Sequence, residues 1–489
     1  MIKLLLKNSF YFLIVQIVSR GISFFLIPLY TAYLSTNDYG VLEIFNVITI
    51  IIFAAGSLQI QQGIARFLPD QTFNTSPESK NILISTGFWF NSIAFTFICA
   101  IAFLFHKILN QWLVGDAVYL TAFKLSIISI WIGGISSYMQ MLKVWQMDGQ
   151  KSAIANILAV IVTIPLTVLL VLKFKLGIVG IIIATIAGQI ITLFFLIKHS
   201  FKEIYFRFSS AILRRTLLFS APLVLSSLAY YSWNFIDRIM LKNYLSLDEL
   251  GVFSLGIKFA MPFSMLLVIL ETALFPIIIN QYHKKQTANK IKLLFSVVLF
   301  FMFVIWLLVI LFAKEIITVM ANYNFNEAWK IVGLSCGTQL LLGIYFFAPG
   351  IAISKKTYWS IASVGAGSII NFCLNFFMIP TFGILGASIS TFISALLYII
   401  VLFYLNNKLY KIDYHFIRIL SALIILLSLI VVVHWSNISG LNFYILLYFK
   451  VFFLITITLF LYKLLINSTV KRLIKRLLIK TYKKNISVS

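Results

Sequence analysis

The chain alternates between long apolar runs and short polar joints. Runs long enough to cross a hydrocarbon core, roughly 20 residues each, occupy residues 10–33, 41–65, 82–105, 117–142, 153–172, 176–197, 216–241, 251–279, 293–313, 328–353, 358–380, 382–405, 416–435 and 442–466. These runs lack the strict apolar-polar alternation of barrel strands, and a helix satisfies its own backbone polar groups in lipid. The pattern predicts an all-α integral membrane protein of about fourteen transmembrane helices.

The pattern also repeats. YLSTNDYGV begins at Tyr33 and YLSLDELGV at Tyr244, an offset of 211 residues; LGIVGIIIAT at Leu176 returns as FGILGASIST at Phe382, an offset of 206. A short basic turn at Gly149–Ser152 falls opposite another at Lys355–Tyr358. Matches in register at a nearly constant offset indicate two copies of one long unit. The expected organisation is a six-span lobe over residues 1–207, a second over 208–410, and two further spans with a basic tail over 411–489. The tail after Ile466 reads as an interfacial anchor.

Composition agrees with the bilayer as solvent: 61% of residues are hydrophobic and 11% charged, with a mean hydropathy of +1.01. A formal net charge of +25 can signal nucleic-acid binding. Here, however, most cations fall in short loops on one membrane face. The positive-inside rule then puts both termini in the cytoplasm, and attraction to anionic lipid accounts for the charge without nucleic acid. Lys3 and Lys7 before an apolar stretch superficially suggest a signal peptide. The stretch is too long, contains Arg20 and lacks a small-residue cleavage site, so it reads as an uncleaved first span.

Enzymatic chemistry is not evident. Cys99, Cys336 and Cys373 are single residues in apolar runs and read as packing residues, and the five histidines lie mostly at span ends, so no metal site or disulfide is expected. There is no phosphate-binding loop and no nucleophile constellation. With loops this short, no cofactor and no ATP hydrolysis are expected in this chain.

The informative chemistry lies inside the spans, where a charge costs on the order of 2.5–3.5 kcal/mol even on the lenient insertion scale. In the first run, Ser9, Gln16, Ser19, Arg20 and Ser23 share one helical face. In the seventh, Ser226, Ser227, Tyr230, Asn234 and Asp237 form a stripe flanked by Tyr231 and Arg238. The offset of 211 places Gln16 on Ser227 and Ser23 on Asn234, so the two copies present equivalent polar faces. Glu43, Asn46, Ser57 and Gln61 are expected along one side of the second helix, with Ser254 and Lys258 one turn apart on the eighth. Spans one, two, seven and eight are therefore expected to line a hydrated, partly cationic cavity. Bland readings compete: Arg20 can snorkel, Arg66 fits the positive-inside rule, and Asp237 and Arg238 suit an interface or a pair between copies. Glu43 and Glu271 fit simple solvation at span ends, and Lys450 fits a lipid headgroup or a neighbouring helix.

The doubled six-span plan, the YLSxxxxGV segments, Arg20, the GxxGxxxxT openings at Gly177 and Gly383 and two extra C-terminal spans resemble the polysaccharide flippases. These carry O-antigen and capsule units and belong to the multidrug/oligosaccharidyl-lipid/polysaccharide superfamily. The resemblance implies two lobes in a V shape, alternating access in the bacterial cytoplasmic membrane, and undecaprenyl pyrophosphate bearing an oligosaccharide as substrate. A cation about 4 Å from a phosphate gains roughly 4 kcal/mol at an effective dielectric near 20, which offsets the cost of a buried Arg or Lys. Arg20 and Lys258, then Arg66 and Arg238, are the expected phosphate ligands. Gln16, Asn46, Asn234, Tyr230, Tyr231 and Trp233 are expected at sugar hydroxyls and ring faces. Glu43, Asp237 and Glu271 are the candidates for proton or sodium coupling. The partners implied are the lipid-linked oligosaccharide, membrane lipids and other polysaccharide-assembly proteins, with the chain itself a monomer. Two alternatives stay open: an exporter of drugs or metabolites driven by a cation gradient, and a flippase for the peptidoglycan lipid precursor. An exporter of cationic compounds needs acids deep in a lobe, where this chain places cations. A membrane glycosyltransferase or polymerase needs a large outer loop or an acidic catalytic cluster, and neither is legible.

Overall fold

The computed structural model describes Gly21, Phe24 and residues 26–68, 77–146, 148–284, 286–354, 356, 358–438 and 443–466. Gln16, Arg20 and the basic tail lie outside the described residues. In chain order, the helices of seven residues or more are α1 (Ile27–Tyr33), α2 (Thr36–Ser57), α3 (Ile60–Phe67), α4 (Pro77–Leu104), α5 (His106–Leu113), α6 (Leu120–Trp145), α7 (Gly149–Val168) and α8 (Gly177–Ser200). They continue as α9 (Ser210–Tyr244), α10 (Leu247–Lys258), α11 (Met261–Gln281), α12 (Thr287–Met320), α13 (Trp329–Gly343), α14 (Tyr358–Leu409), α15 (Phe416–Ile438) and α16 (Phe443–Leu465). No strand occurs among the described residues. Eleven helical stretches there are long and apolar enough to cross a bilayer, against the fourteen expected. The expected runs 358–380 and 382–405 share the stretch α14, which non-helical backbone at Gly383 divides into two helices, and α9 is 35 residues long but carries the polar stripe and is not among the eleven.

The chain packs as two compact units that cut across the sequence copies. One unit gathers the residues up to Leu255 with Ala321–Phe325 and Val364–Ala387; the other gathers Gly256–Met320, Asn326–Ser363 and the residues from Ser388 onward. In the first unit, α9 packs on α2, α3 and α4, while α6, α7 and α8 pack on one another. In the second, α12 is central and touches α11, α13, α15 and α16. Trp306 of α12 is fully buried and donates its indole N–H to the Gly333 carbonyl at 2.7 Å.

The recurring motifs fold alike. Ser35 caps α2: its hydroxyl accepts from the Asp38 N–H at 3.0 Å, and the Asp38 carboxylate accepts from the Ser35 N–H at 3.1 Å. Ser246 and Glu249 repeat this at the start of α10, with both bonds at 3.2 Å. The YLSxx[DE] signal is thus a capping box used twice. Gly177 and Gly383 both adopt left-handed backbone, with φ of 52° and 58°. Each lies 3.9 Å, measured from a built Cβ, from the equivalent leucine, Leu34 in one copy and Leu245 in the other. A β-carbon is strained at that φ, so glycine lets the chain turn between apolar helices.

The expected second span is not one helix. Leu58 and Gln59 both take positive φ, 41° and 53°, which separates α2 from α3. Such backbone costs about 1–3 kcal/mol per residue. Local bonds hold it in place: the Ser220 hydroxyl donates to the Leu58 carbonyl at 3.0 Å, and the Gln59 N–H donates to the Ser57 hydroxyl at 3.3 Å. The break leaves Ser57 on the helix of Glu43 but puts Gln61 on the next one, where it donates to the Ser137 hydroxyl at 3.2 Å.

Lys143, near the C-terminal end of α6, is 1% exposed. Its ammonium donates to Glu203 and to Gln146, both at 3.0 Å, and Gln146 donates to the same Glu203 oxygen at 3.0 Å. Lys450 is likewise buried and pairs with Glu315 on α12 at 2.5 Å, so it serves a neighbouring helix and not a lipid headgroup. Removing one member of a buried pair leaves the other charge uncompensated, whereas replacing both is close to neutral. Glu203→Ala is expected to cost about 2–3 kcal/mol, discounted from the fully buried case because Glu203 is about a third exposed. Lys143→Met combined with Glu203→Leu is expected to recover most of that loss. Thermal unfolding in detergent measures both, and equal destabilisation by the single and double variants contradicts the reading.

Candidate functional site

The first turns of α2 and α10 cross at glycine. A Cβ built on Gly40 falls 2.0 Å from the Leu247 carbonyl oxygen, and one built on Gly251 falls 2.0 Å from the Thr36 carbonyl oxygen. Gly251 lies 211 residues after Gly40, and Leu247 lies 211 after Thr36. Exchanging the two copies therefore maps the contact onto itself. Any other residue at either glycine displaces a backbone carbonyl, and small residues are what allow helices to approach this closely in a bilayer.

A belt of polar bonds surrounds the crossing. The Thr36 hydroxyl donates to one Asp248 carboxylate oxygen, and the Asn37 amide reaches the other at 3.5 Å. From α6's approach, the Tyr119 hydroxyl engages Asp38 at 2.8 Å and the Asn37 amide oxygen at 3.0 Å. On the sequence expectation of cytoplasmic termini, this end of the helices would face outward.

One turn further along α2, Glu43 is 7% exposed, which corrects the expectation of simple solvation. It accepts from the Arg238 Nε–H at 2.8 Å, and its second oxygen accepts from the Asn46 amide at 3.3 Å. The Arg238 guanidinium also lies 5.3 Å from the centroid of the Phe235 ring, a cation–π contact. Both charged side chains are about nine-tenths buried, so each neutralises the other across the two sequence copies.

Asp237, the neighbour of Arg238 on α9, is 2% exposed. Its carboxylate accepts from the Asn375 amide at 2.6 Å, and the same amide nitrogen reaches the Asn371 oxygen at 3.2 Å. Both asparagines are fully buried on α14, and the Asn375 amide oxygen has no hydrogen-bond partner among the described residues. A buried carboxylate with two amide oxygens suits a proton or a hard cation. Sequence reasoning missed Asn371 and Asn375; the legible signal was two asparagines one helical turn apart in the apolar run SIINFCLNFF.

The other expected residues are dispersed. Tyr231 is half-buried on α9, and the Tyr230 and Asn234 side chains lie outside the described residues. Trp233, expected at a sugar face, is 4% exposed and packs against Gly367. Arg66 is exposed in the last turn of α3. Lys258, half-buried, ends α10 in the second unit, with Ser254 buried one turn earlier. Glu271, also in the second unit, accepts from the Tyr345 hydroxyl. Of the three cysteines expected as packing residues, Cys373 is exposed.

If the crossing closes the outer end, a β-carbon at either glycine pries it open. In a background with the three cysteines replaced by alanine, Gly40→Ala and Gly251→Ala are each expected to raise about tenfold the labelling rate by membrane-impermeant maleimide of Leu250→Cys, at a residue fully buried beside the crossing. That factor corresponds to about 1.4 kcal/mol. Unchanged labelling in both variants contradicts closure at this point.

The comparisons agree with this architecture. Residues 5–282, more than half of the chain, match the family described as "Polysaccharide biosynthesis protein", and residues 222–377 match the MatE family. No curated protein matches the chain. Among solved structures, the lipid II flippase MurJ in an inward closed conformation superposes with a TM-score of 0.70 at 15% identity, covering 94% of this chain and 100% of MurJ. An inward-facing multidrug resistance MATE transporter gives 0.66 at 14% identity, covering 82% and 94%. A transporter from Pyrococcus furiosus, described as having a binding pocket of reverse polarity, gives 0.60 at 14% identity, covering 83% and 95%. At these identities the structures bear on the fold, and the family match on membership. The shared fold sets the architecture, and the match over more than half of its length places this chain in the polysaccharide biosynthesis protein family.

Proposed function

We propose that the protein flips oligosaccharide repeat units, linked to undecaprenyl pyrophosphate, across the cytoplasmic membrane for surface-polysaccharide assembly. The observation that carries this reading is the buried Arg238–Glu43 pair with Asn46 beside it. A guanidinium that a carboxylate neutralises at rest is matched to a phosphate that takes the carboxylate's place, since both accept its planar N–H groups. Arg20, Lys258 and Arg66 complete the proposed phosphate ligands. Gln16, Asn46, Asn234, Tyr230 and Tyr231 are the proposed sugar contacts. The proposed moving halves are the sequence copies 1–207 and 208–410.

The same pair suggests how transport is coupled. Protonating Glu43 releases Arg238 for an anion, so proton uptake and headgroup binding favour each other by linkage. The sign follows: headgroup affinity rises as pH falls, and Glu43→Gln makes it independent of pH.

A second reading rests on Asp237, Asn371 and Asn375, which lie inside the MatE match. Under it, a proton or sodium ion on Asp237 drives export of organic cations.

Sealed inverted vesicles supplied with a panel of lipid-pyrophosphate oligosaccharides separate the two. The intact protein is expected to move headgroups, with Arg238→Ala, Arg20→Ala and Lys258→Ala each lowering the rate tenfold or more, and Glu43→Gln abolishing its pH dependence. Expulsion of organic cations with no movement of lipid-linked sugars, lost in Asp237→Asn, replaces the flippase reading with the exporter.

A further inference from the structure

The second unit holds a cavity of about 440 Å³ bounded by α12, α13, α14 and α15. Its volume lies in the range of about 300–1,000 Å³ typical of sites for small molecules. The lining is apolar apart from Asn407 and the Tyr404 hydroxyl. The floor is fixed by aromatic contacts: Phe295 lies 4.7 Å from Tyr414 and 5.6 Å from Phe403, between ring centroids. On the open flank, Ile417, Tyr404 and Leu420 are 85, 59 and 54% exposed, so the cavity is reached from the side of the helices.

One end of this cavity is cationic. The Lys408 ammonium lies 4.6 Å from the centroid of the Tyr404 ring, a cavity wall. Arg418 follows Ile417 in sequence and Lys292 sits one turn before Phe295, and both of those apolar residues line the cavity. Burial, with Lys292 and Arg418 close by, holds the His415 imidazole, just before α15, below its usual range. Asp413 is the one acid between Tyr404 and Arg418.

An apolar slot with a basic rim complements an anionic amphiphile. We propose that this cavity binds one acyl chain of an anionic bilayer phospholipid, with Lys408, Arg418 and Lys292 holding its headgroup phosphate. The basic rim selects against zwitterionic lipid, whose headgroup brings its own cation. A polyprenyl tail is far larger than the cavity, so the occupant is a resident lipid and not the transported one. The site stands whichever transport substrate proves correct.

The test uses the full chain in phosphatidylcholine nanodiscs containing a small fraction of phosphatidylglycerol with a diazirine on one acyl chain, with crosslinks mapped by peptide mass spectrometry. Crosslinks are expected within residues 396–423, at least fivefold above those from phosphatidylcholine bearing the same probe. Lys408→Gln with Arg418→Gln is expected to reduce phosphatidylglycerol labelling to the phosphatidylcholine level at an unchanged melting temperature, and Lys408→Arg with Arg418→Lys to preserve it. Leu420→Trp, which fills the cavity, is expected to lower labelling by either lipid. Equal labelling by the two headgroups overturns the proposal. So does labelling indifferent to the glutamine substitutions, or labelling of this segment by a photoactivatable polyprenyl phosphate alone.

Discussion

Two helices of different sequence copies approach so closely that a backbone carbonyl stands where a β-carbon would be, at Gly40 and again at Gly251. Much of the first unit follows from this crossing. It requires α2 and α10 to begin at fixed points, which the Ser35 and Ser246 capping boxes supply. It brings Asp248 to Thr36 and Asn37. One turn below, α2 meets α9 through the Glu43–Arg238 pair. Because the contact is self-complementary, a single geometry satisfies both copies, and a change in one has a counterpart in the other.

Where water is scarce, the charges are paired. Lys143 with Glu203, Glu43 with Arg238 and Lys450 with Glu315 each combine a buried or nearly buried cation with a carboxylate on another element. Lys143 ties the segment after α8 to α6, and Lys450 ties α16 to α12; both are structural. The pair of Glu43 and Arg238 differs in lying beside Asn46 and the polar stripe of α9. Its partners are exchangeable in principle, since a phosphate can replace the carboxylate and a proton can remove the carboxylate's charge.

Hydropathy made the helical class and the spans legible, and the YLSxxxxGV and GxxGxxxxT recurrences marked the doubled plan. Why the glycines recur was not legible: Gly40 answers to a carbonyl 207 residues away in the chain, and no local pattern reports that. The polar stripe was visible by periodicity, yet its partners were not, because Asn371 and Asn375 come from a distant apolar run and Glu43 reads alone as a solvated span end. The break at Leu58–Gln59 carries neither glycine nor proline at the two left-handed residues. It is held by Ser220, a tertiary bond outside the reach of local sequence. Trp233 was expected at a sugar ring face for its aromatic chemistry; packing on Gly367 buries it instead.

Under the proposed function, headgroup passage past the Glu43–Arg238 pair requires the α2–α10 crossing one turn away to part. With Asn37→Cys and Asp248→Cys in a background lacking Cys99, Cys336 and Cys373, a short reducible bismethanethiosulfonate joins the two segments. Movement of lipid-linked oligosaccharide across sealed vesicles is then followed before and after reduction. The linked protein is expected to be inactive, and reduction to restore transport to the rate of the unlinked variant. Undiminished transport with the link in place would contradict this requirement.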